Sequence, residues 1–262
     1  MALLLVCHDG GYNMSQFSKN SVLITGASGG LGQQLAVDFA REGANVMVNY
    51  SSSAAAADKI VAQIREAGGQ AMACHADISS AEDVKTMVEK TVENYGGIDI
   101  LINNAGISID APFLELSEND WDQVMDVNLK GPFLLSQAVG RHMVAAGKGR
   151  IINISATTAI QGRIGNANYT ASKAGLNMLT QSMALELGPE VSVNTVALGF
   201  VDSPLVRELF STDDLKQAQD SVPLKRLTTY PETAAFVMML ASDTAAFVTG
   251  QTIPFDGGRV MR

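Results

Sequence analysis

Two side chains able to move a proton stand four residues apart in the stretch NYTASKAG (168–175): Tyr169 and Lys173. If the stretch is helical, they lie one turn apart on one side. A phenol in water has a pKa of about 10, so at neutral pH it is a poor acid and a worse base. An ammonium beside it favours the phenolate and draws the pKa toward working pH, where acid-base catalysis is most effective. Tyr and Lys also meet at this spacing on many surface helices, so the pair alone does not decide a function.

The element that must carry them is written around them. Ala171, Ala174, Met178, Leu179, Met183 and Leu187 recur at three- and four-residue steps, which predicts a helix over 168–187 with those residues on its buried face. Upstream, short apolar runs alternate with helical patterns. Strands are expected at 21–25, 45–49, 71–75, 98–103, 150–155 and 191–197, and a last one at 251–255. Helices are expected at 31–41, 53–67, 80–95, 121–146 and 232–241, the third capped by Ser79 or Ser80 with Glu82 and Asp83 in its first turn. Continuous apolar strands alternating with helices predict an α/β fold: a single doubly wound, Rossmann-type parallel sheet with helices on both faces. No repeat or linker marks a second domain, so residues 20–262 read as one domain behind a loosely held extension over 1–19, with Met14 as an alternative start.

Composition narrows the function. A net charge of -9 and a pI near 4.8 argue against a nucleic-acid partner. The two cysteines, Cys7 and Cys74, fit a reducing cytoplasm better than a disulfide framework. No run of about 18 apolar residues exists to span a membrane. His8, His75 and His142 have no partners at ligand spacing, so no metal site is expected.

A Gly-rich turn, TGASGGLG (25–32), joins the first strand to the first helix. Gly26, Gly30 and Gly32 would let backbone N–H groups approach a pyrophosphate at the helix N-terminus. Together with Asn103-Asn104-Ala105-Gly106, Asn128 and Tyr169-x-x-x-Lys173, this turn resembles the short-chain dehydrogenase/reductase family over about 21–258, most closely its bacterial 3-oxoacyl-carrier-protein reductases. The resemblance implies that Tyr169 exchanges a proton with a carbonyl oxygen, that Lys173 lowers its pKa and holds the nicotinamide ribose, and that Asn128 holds a water leading to solvent. It implies a dinucleotide groove of Gly26, Ser28, Gly30, Leu31, Gly32, Asn104, Ala105 and Gly106. Asp77 and Ile78 would stand at the adenine, and Gly199, Val201 and Ser203 at the carboxamide. Asp77 and Ser203 read equally well as helix-capping residues.

The end of the second strand bears on cofactor choice. Asn49, Tyr50, Ser51 and Ser52 carry no carboxylate to repel a 2′-phosphate and offer hydroxyls and an amide able to bond one, which points to NADP(H), although no Arg or Lys stands at Gly29 or in this loop. NAD(H) stays open.

Two positions depart from the family pattern. Thirteen residues before the Tyr, where the family places a Ser that bonds the carbonyl, this chain has Ala156. Strand neighbours point to opposite faces, so Ser155 replaces it as a catalytic residue only if the segment bulges by one residue. The alternatives are a substitute hydroxyl on Thr157 or Thr158, an introduced Ser-to-Ala change, and a naturally altered activity. In NTVALGF (194–200), Leu198 stands where the family has Pro, which predicts a freer turn. The segment 203–222 reads as an irregular substrate lid with Leu205, Val206, Leu209 and Phe210 as an apolar wall.

The expected protein is a cytoplasmic NADP(H)-dependent ketoreductase or secondary-alcohol dehydrogenase acting on a small or acyl-carrier-bound carbonyl. It is expected to form a dimer or tetramer through the long helix near Trp121 and the Tyr/Lys helix. An NAD-using or chemically diverged relative, and a dinucleotide-binding regulatory protein with little turnover, are the alternatives.

Overall fold

Alternate residues of the central strands enter two different cores. Val22 and Ile24 pack with Phe39, Val46 and Val237 on one side, while Leu23 packs with Met47, Leu101 and Leu135 on the other. This is the pattern of a sheet covered on both faces. Each fully enclosed Leu or Ile contributes about 1.5–3 kcal/mol of burial.

A computed structural model describes residues 16–209 and 211–261. The strands are β1 (Ser21–Ile24), β2 (Asn45–Tyr50), β3 (Gln70–His75), β4 (Ile100–Asn103), β5 (Gly149–Ala156), β6 (Val191–Leu198) and β7 (Thr252–Phe255), all parallel, in the order β3-β2-β1-β4-β5-β6-β7. Strand order reverses between β1 and β4, and there the loops part to form a crevice at the strands' carboxyl ends.

The helices before the sheet's midpoint are α1 (Gly30–Arg41), α2 (Ala54–Glu66) and α3 (Ala81–Tyr95). Ser80 caps α3 by accepting from Asp83 N, and Gly96 ends it in the left-handed region at φ 80°. The single helix expected over 121–146 is three pieces: α4 (Glu118–Met125), a π turn (Asp126–Lys130) and α5 (Gly131–Ala146). Pro132 has no N–H to offer the carbonyl four residues back, that of Asn128, so the α ladder cannot pass through this point.

The remaining helices are α6 (Thr158–Gln161), α7 (Ala167–Leu187), α8 (Pro204–Leu209), α9 (Thr212–Asp220) and α10 (Tyr230–Ala241). Three expectations change here. The buried residues of α7 are Asn168, Ser172, Lys173, Leu176 and Thr180, whereas Met178 is 60% exposed. Of the expected apolar face, Met183 and Leu187 pack against the core while Met178 points outward; the most buried stripe is polar instead, its groups satisfying one another: Thr180 Oγ1 accepts from Asn153 Nδ2 at 2.7 Å and Asn153 Oδ1 accepts from Asn103 Nδ2 at 2.8 Å.

The segment expected to be irregular is largely helical, with α9 opened by a capping box between Ser211 and Asp214. Of its expected apolar wall, only Val206 has a described side chain: Leu205 and Leu209 are described by their backbone alone, and Phe210 lies outside the described residues. Lastly, Phe17 is buried edge-on against Phe39, with ring centroids 4.8 Å apart, so residues 16–19 of the expected extension are held to the core. Residues 1–15, including Cys7, His8 and Met14, lie outside the described residues.

Candidate active site

The start of α7 is bolted in place before Tyr169 is reached. Asn168, fully buried, accepts from Tyr169 N at 2.8 Å and donates to the carbonyls of Ile109 (3.0 Å) and Asp120 (3.3 Å). One turn on, Lys173 is enclosed, its Nζ 5.7 Å from the Tyr169 ring centroid and donating to the Ile154 carbonyl at 2.9 Å. Burial pulls the Lys173 ammonium down to about 8. Burial also pushes the Tyr169 phenol up, with the Arg163 cation pulling it down and the Asp110 carboxylate pushing it up. The lowered phenol expected from the sequence is thus not a property of the protein alone, because desolvation outweighs the neighbouring cation.

Asn128 sits in the π turn with no exposure, and its amide clamps the backbone of Ile107. Oδ1 accepts from Ile107 N and Nδ2 donates to Ile107 O, both at 2.8 Å, with a third bond to Ser172 Oγ at 3.2 Å. Gly106 lies against both partners: a Cβ built there would be 3.2 Å from Asn128 Oδ1 and 3.3 Å from Lys173 Nζ. Asn128 and Lys173 therefore meet directly behind Gly106. The signal for the π turn, Pro132 four residues after Asn128, was present in the sequence but absent from the helix expected there.

No bulge restores Ser155. The β5–β6 ladder runs in register through Ser155↔Ala197 and Ala156↔Leu198. Ser155 is buried and its hydroxyl donates to the Lys173 carbonyl at 3.3 Å, so it cannot also face a carbonyl in the cleft. Thr157 donates to the Leu198 carbonyl at 3.3 Å. Of the three hydroxyls around Ala156, only that of Thr158 is buried without a partner. Leu198, at the turn expected to be freer, closes β6 by pairing with Ala156 on one side and Phe255 on the other.

The Gly-rich loop is tied to the end of β4. Thr25 Oγ1 accepts from the N–H groups of Asn104 and Ala105, both at 3.0 Å, and Asn104 Nδ2 donates to Thr25 O at 2.9 Å. Gly26 has φ +59°, and a Cβ on Gly32 would stand 2.7 Å from Asn104 Nδ2, so larger residues would push the loop off this seat. A groove of about 240 Å³ opens beside it, lined by Gly26, Asn49, Ser51, Ala76, Asp77, Ile78, Asn104, Ala105, Gly106, Ile107 and Val127. Glycine-lined backbone at a helix N-terminus fits the phosphates of a dinucleotide.

Asn49 proves to be structural. Its Oδ1 accepts from Gly26 N at 3.2 Å and its Nδ2 donates to the Ala76 carbonyl at 3.1 Å, so its amide is occupied and cannot reach a 2′-phosphate. Ser51 and Ser52 are exposed, and Tyr50 packs edge-on to His75. Asp77 Oδ1 accepts from Ser79 N and Oγ, forming a turn ahead of the Ser80 cap. Val201 bridges to Thr228, and Ser203 caps α8 through Val206 N at 3.1 Å. Gly199 packs tightly on Asp256. A larger hollow, about 840 Å³, lies between α7, β7 and the C-terminal segment, but none of the expected catalytic residues lines it.

The family model described as short chain dehydrogenase matches residues 20–214. The chain is 41% identical to the 3-oxoacyl-(acyl-carrier-protein) reductase FabG of Staphylococcus epidermidis, covering 93% of this chain and 100% of the relative. It is 40% identical to the 3-oxoacyl-(acyl-carrier-protein) reductase of Synechocystis, over 95% of this chain and 100% of the relative. Among solved structures, a dehydrogenase/reductase from Sinorhizobium meliloti superposes with a TM-score of 0.88 at 35% identity, covering 95% of this chain and 97% of that one.

Proposed function

The chain belongs to the short-chain dehydrogenase family and is an NAD(P)-dependent oxidoreductase; from that premise we propose that it is a ketoreductase that reduces a 3-oxoacyl carbonyl, free or carrier-borne, with NADPH. The reading rests above all on one observation. Lys173 and Asn128 meet behind Gly106, which lines the groove, one helical turn from Tyr169.

When bound, the nicotinamide supplies or accepts the hydride. Tyr169 gives its phenolic proton to the carbonyl oxygen as charge develops there. The enclosed ammonium of Lys173 stabilises the phenolate left behind, and a phenol raised by burial is a better proton holder until that charge forms. Asn128 contributes twice: its amide fixes Ile107 and Ser172, and its carbonyl, which Pro132 cannot serve as an α-helical donor, would hold a water that reprotonates Lys173. With Ala156 at the family's serine position, Thr158 is the remaining hydroxyl able to compensate.

NADP(H) is the proposed cofactor because the exposed hydroxyls of Ser51 and Ser52 lie where a carboxylate would reject a 2′-phosphate. Gly26, Ser28, Gly30, Leu31 and Gly32 hold the pyrophosphate, Asp77 and Ile78 the adenosine, Asn104 to Gly106 the ribose side, and Gly199, Val201 and Ser203 the carboxamide. We also propose a homo-oligomer, dimer or tetramer, built on the outer faces of α5 and α7. Phe133, Val144, Met178 and Leu185 are exposed there, Leu185 by 86%. Among the described residues no helix is long and apolar enough to cross a membrane, and Cys74 is a buried free thiol; a cytoplasmic site of action is proposed.

The test is carbonyl-dependent consumption of NADPH, followed at the nicotinamide absorbance, across 3-oxoacyl thioesters of increasing chain length. Consumption with some members supports the reading. Tight NADPH binding with no consumption by any of them favours a second reading, a dinucleotide-binding protein with little turnover, for which Ala156 is the motivating residue.

A further inference from the structure

Tyr230 is the first residue of α10, held there by a capping box in which Thr229 accepts from Glu232 N and Glu232 accepts from Thr229 N. Its ring packs on the same core that α1 covers, and its hydroxyl reaches α1's first turn. A Cβ built on Gly30 would stand 3.2 Å from the Tyr230 oxygen and 3.6 Å from the ring carbon that bears it. Gly30 has φ +56° and no side chain, so nothing stands between the phenol and the backbone of the Gly-rich loop at this point.

Among the described residues the hydroxyl of Tyr230 has no hydrogen-bond partner, whereas the hydroxyls of Thr25, Ser203 and Thr233 have theirs. Two residues upstream, Thr228 bridges to Val201, so the N-terminus of α10 is tied to the loop after β6 as well as set against the Gly-rich loop. The loop 25–32 carries no Lys or Arg, which leaves the charge of a bound pyrophosphate to be met by neutral N–H and O–H donors.

We infer that Tyr230 is a cofactor-binding residue: its phenol donates a hydrogen bond to a phosphate of the dinucleotide, from the far side of the Gly-rich loop. This deepens the proposed function and rests on the dinucleotide groove assigned there. By binding a phosphate, Tyr230 would also couple α10, and the loop 199–203 bridged to it, to occupancy of the groove.

Tyr230→Phe removes the hydroxyl and keeps the ring. The test is equilibrium binding of NADPH, ADP and adenosine by calorimetry to wild type and variant, with the melting temperature of each protein alone. A hydrogen bond to a charged group predicts affinities for NADPH and ADP weaker by about tenfold or more, with adenosine affinity and the melting temperature unchanged. Equal ADP affinity in the two proteins, or adenosine weakened as much as ADP, overturns the inference while leaving the groove assignment intact. If wild type binds none of the three, the groove assignment falls and this inference with it.

Discussion

Lys173 donates to the carbonyl of Ile154 at 2.9 Å from inside the protein, and this hydrogen bond is the only one its ammonium makes among the described residues. A buried ammonium with one partner is poorly compensated, which is why burial draws it from 10.5 to about 8. That drop corresponds to on the order of 3 kcal/mol against the charged form in the folded state. Between about pH 8 and 10.5 the unfolded chain binds the proton that the folded chain has released, so this group makes stability rise with pH across that window. Below pH 8 the penalty is fully present. Lys173→Met should therefore melt higher than wild type at pH 7, with the gap closing toward pH 10.5. A variant that melts lower at pH 7 would show that the ammonium is better solvated than its burial implies.

The same ionisation predicts the rate profile. Carbonyl reduction should be steady at neutral pH and fall as pH rises through about 8, when Lys173 loses the charge that steadies the Tyr169 phenolate. The comparison is kcat against pH with saturating cofactor. A rate that holds level to pH 10 removes Lys173 from the proton path.

Ala156 sets up a test of compensation. Ala156→Ser should raise kcat on the order of 10²-fold if the oxyanion lacks a donor, and by much less if Thr158 already serves. Thr158→Val keeps the shape and removes the hydroxyl; it should slow the Ala156 protein and leave the Ala156→Ser protein nearly unaffected. Equal effects in both backgrounds mean that Thr158 does not act on the carbonyl.

Asn49, itself buried, joins three segments of the chain. Asn49→Ala strands Gly26 N and the Ala76 carbonyl, a loss of about 2–4 kcal/mol in urea unfolding. Cofactor affinity should weaken with it, since Gly26 loses its tether. A variant as stable as wild type would place the strength of this junction elsewhere.

Much of this architecture was legible in the sequence because parallel strands buried on both faces are written as short, largely apolar runs, and SVLI, NVMVN and RIINIS are runs of strand length between helical patterns. The misreadings share a cause: polar residues whose partners are distant in the chain. The buried face of α7 runs through Asn168, Ser172 and Thr180, and their bonds to Ile109, Asn128 and Asn153 cannot be inferred from helical spacing. Asn49 looked like a phosphate ligand because Ala76 lies 27 residues away. Other signals were local. Pro132 marks the break near Asn128, and Ser211 three residues before Asp214 marks a helix start in the segment expected to be irregular.

The central claim is that Tyr169 is the proton donor to a carbonyl reduced in the glycine-lined groove. Side-by-side measurement of NADPH affinity and carbonyl-dependent NADPH oxidation in wild type and Tyr169→Phe tests it most directly. The account predicts affinity within a few-fold of wild type and oxidation slowed by about 10²–10⁴. A Tyr169→Phe protein that turns over at the wild-type rate contradicts it.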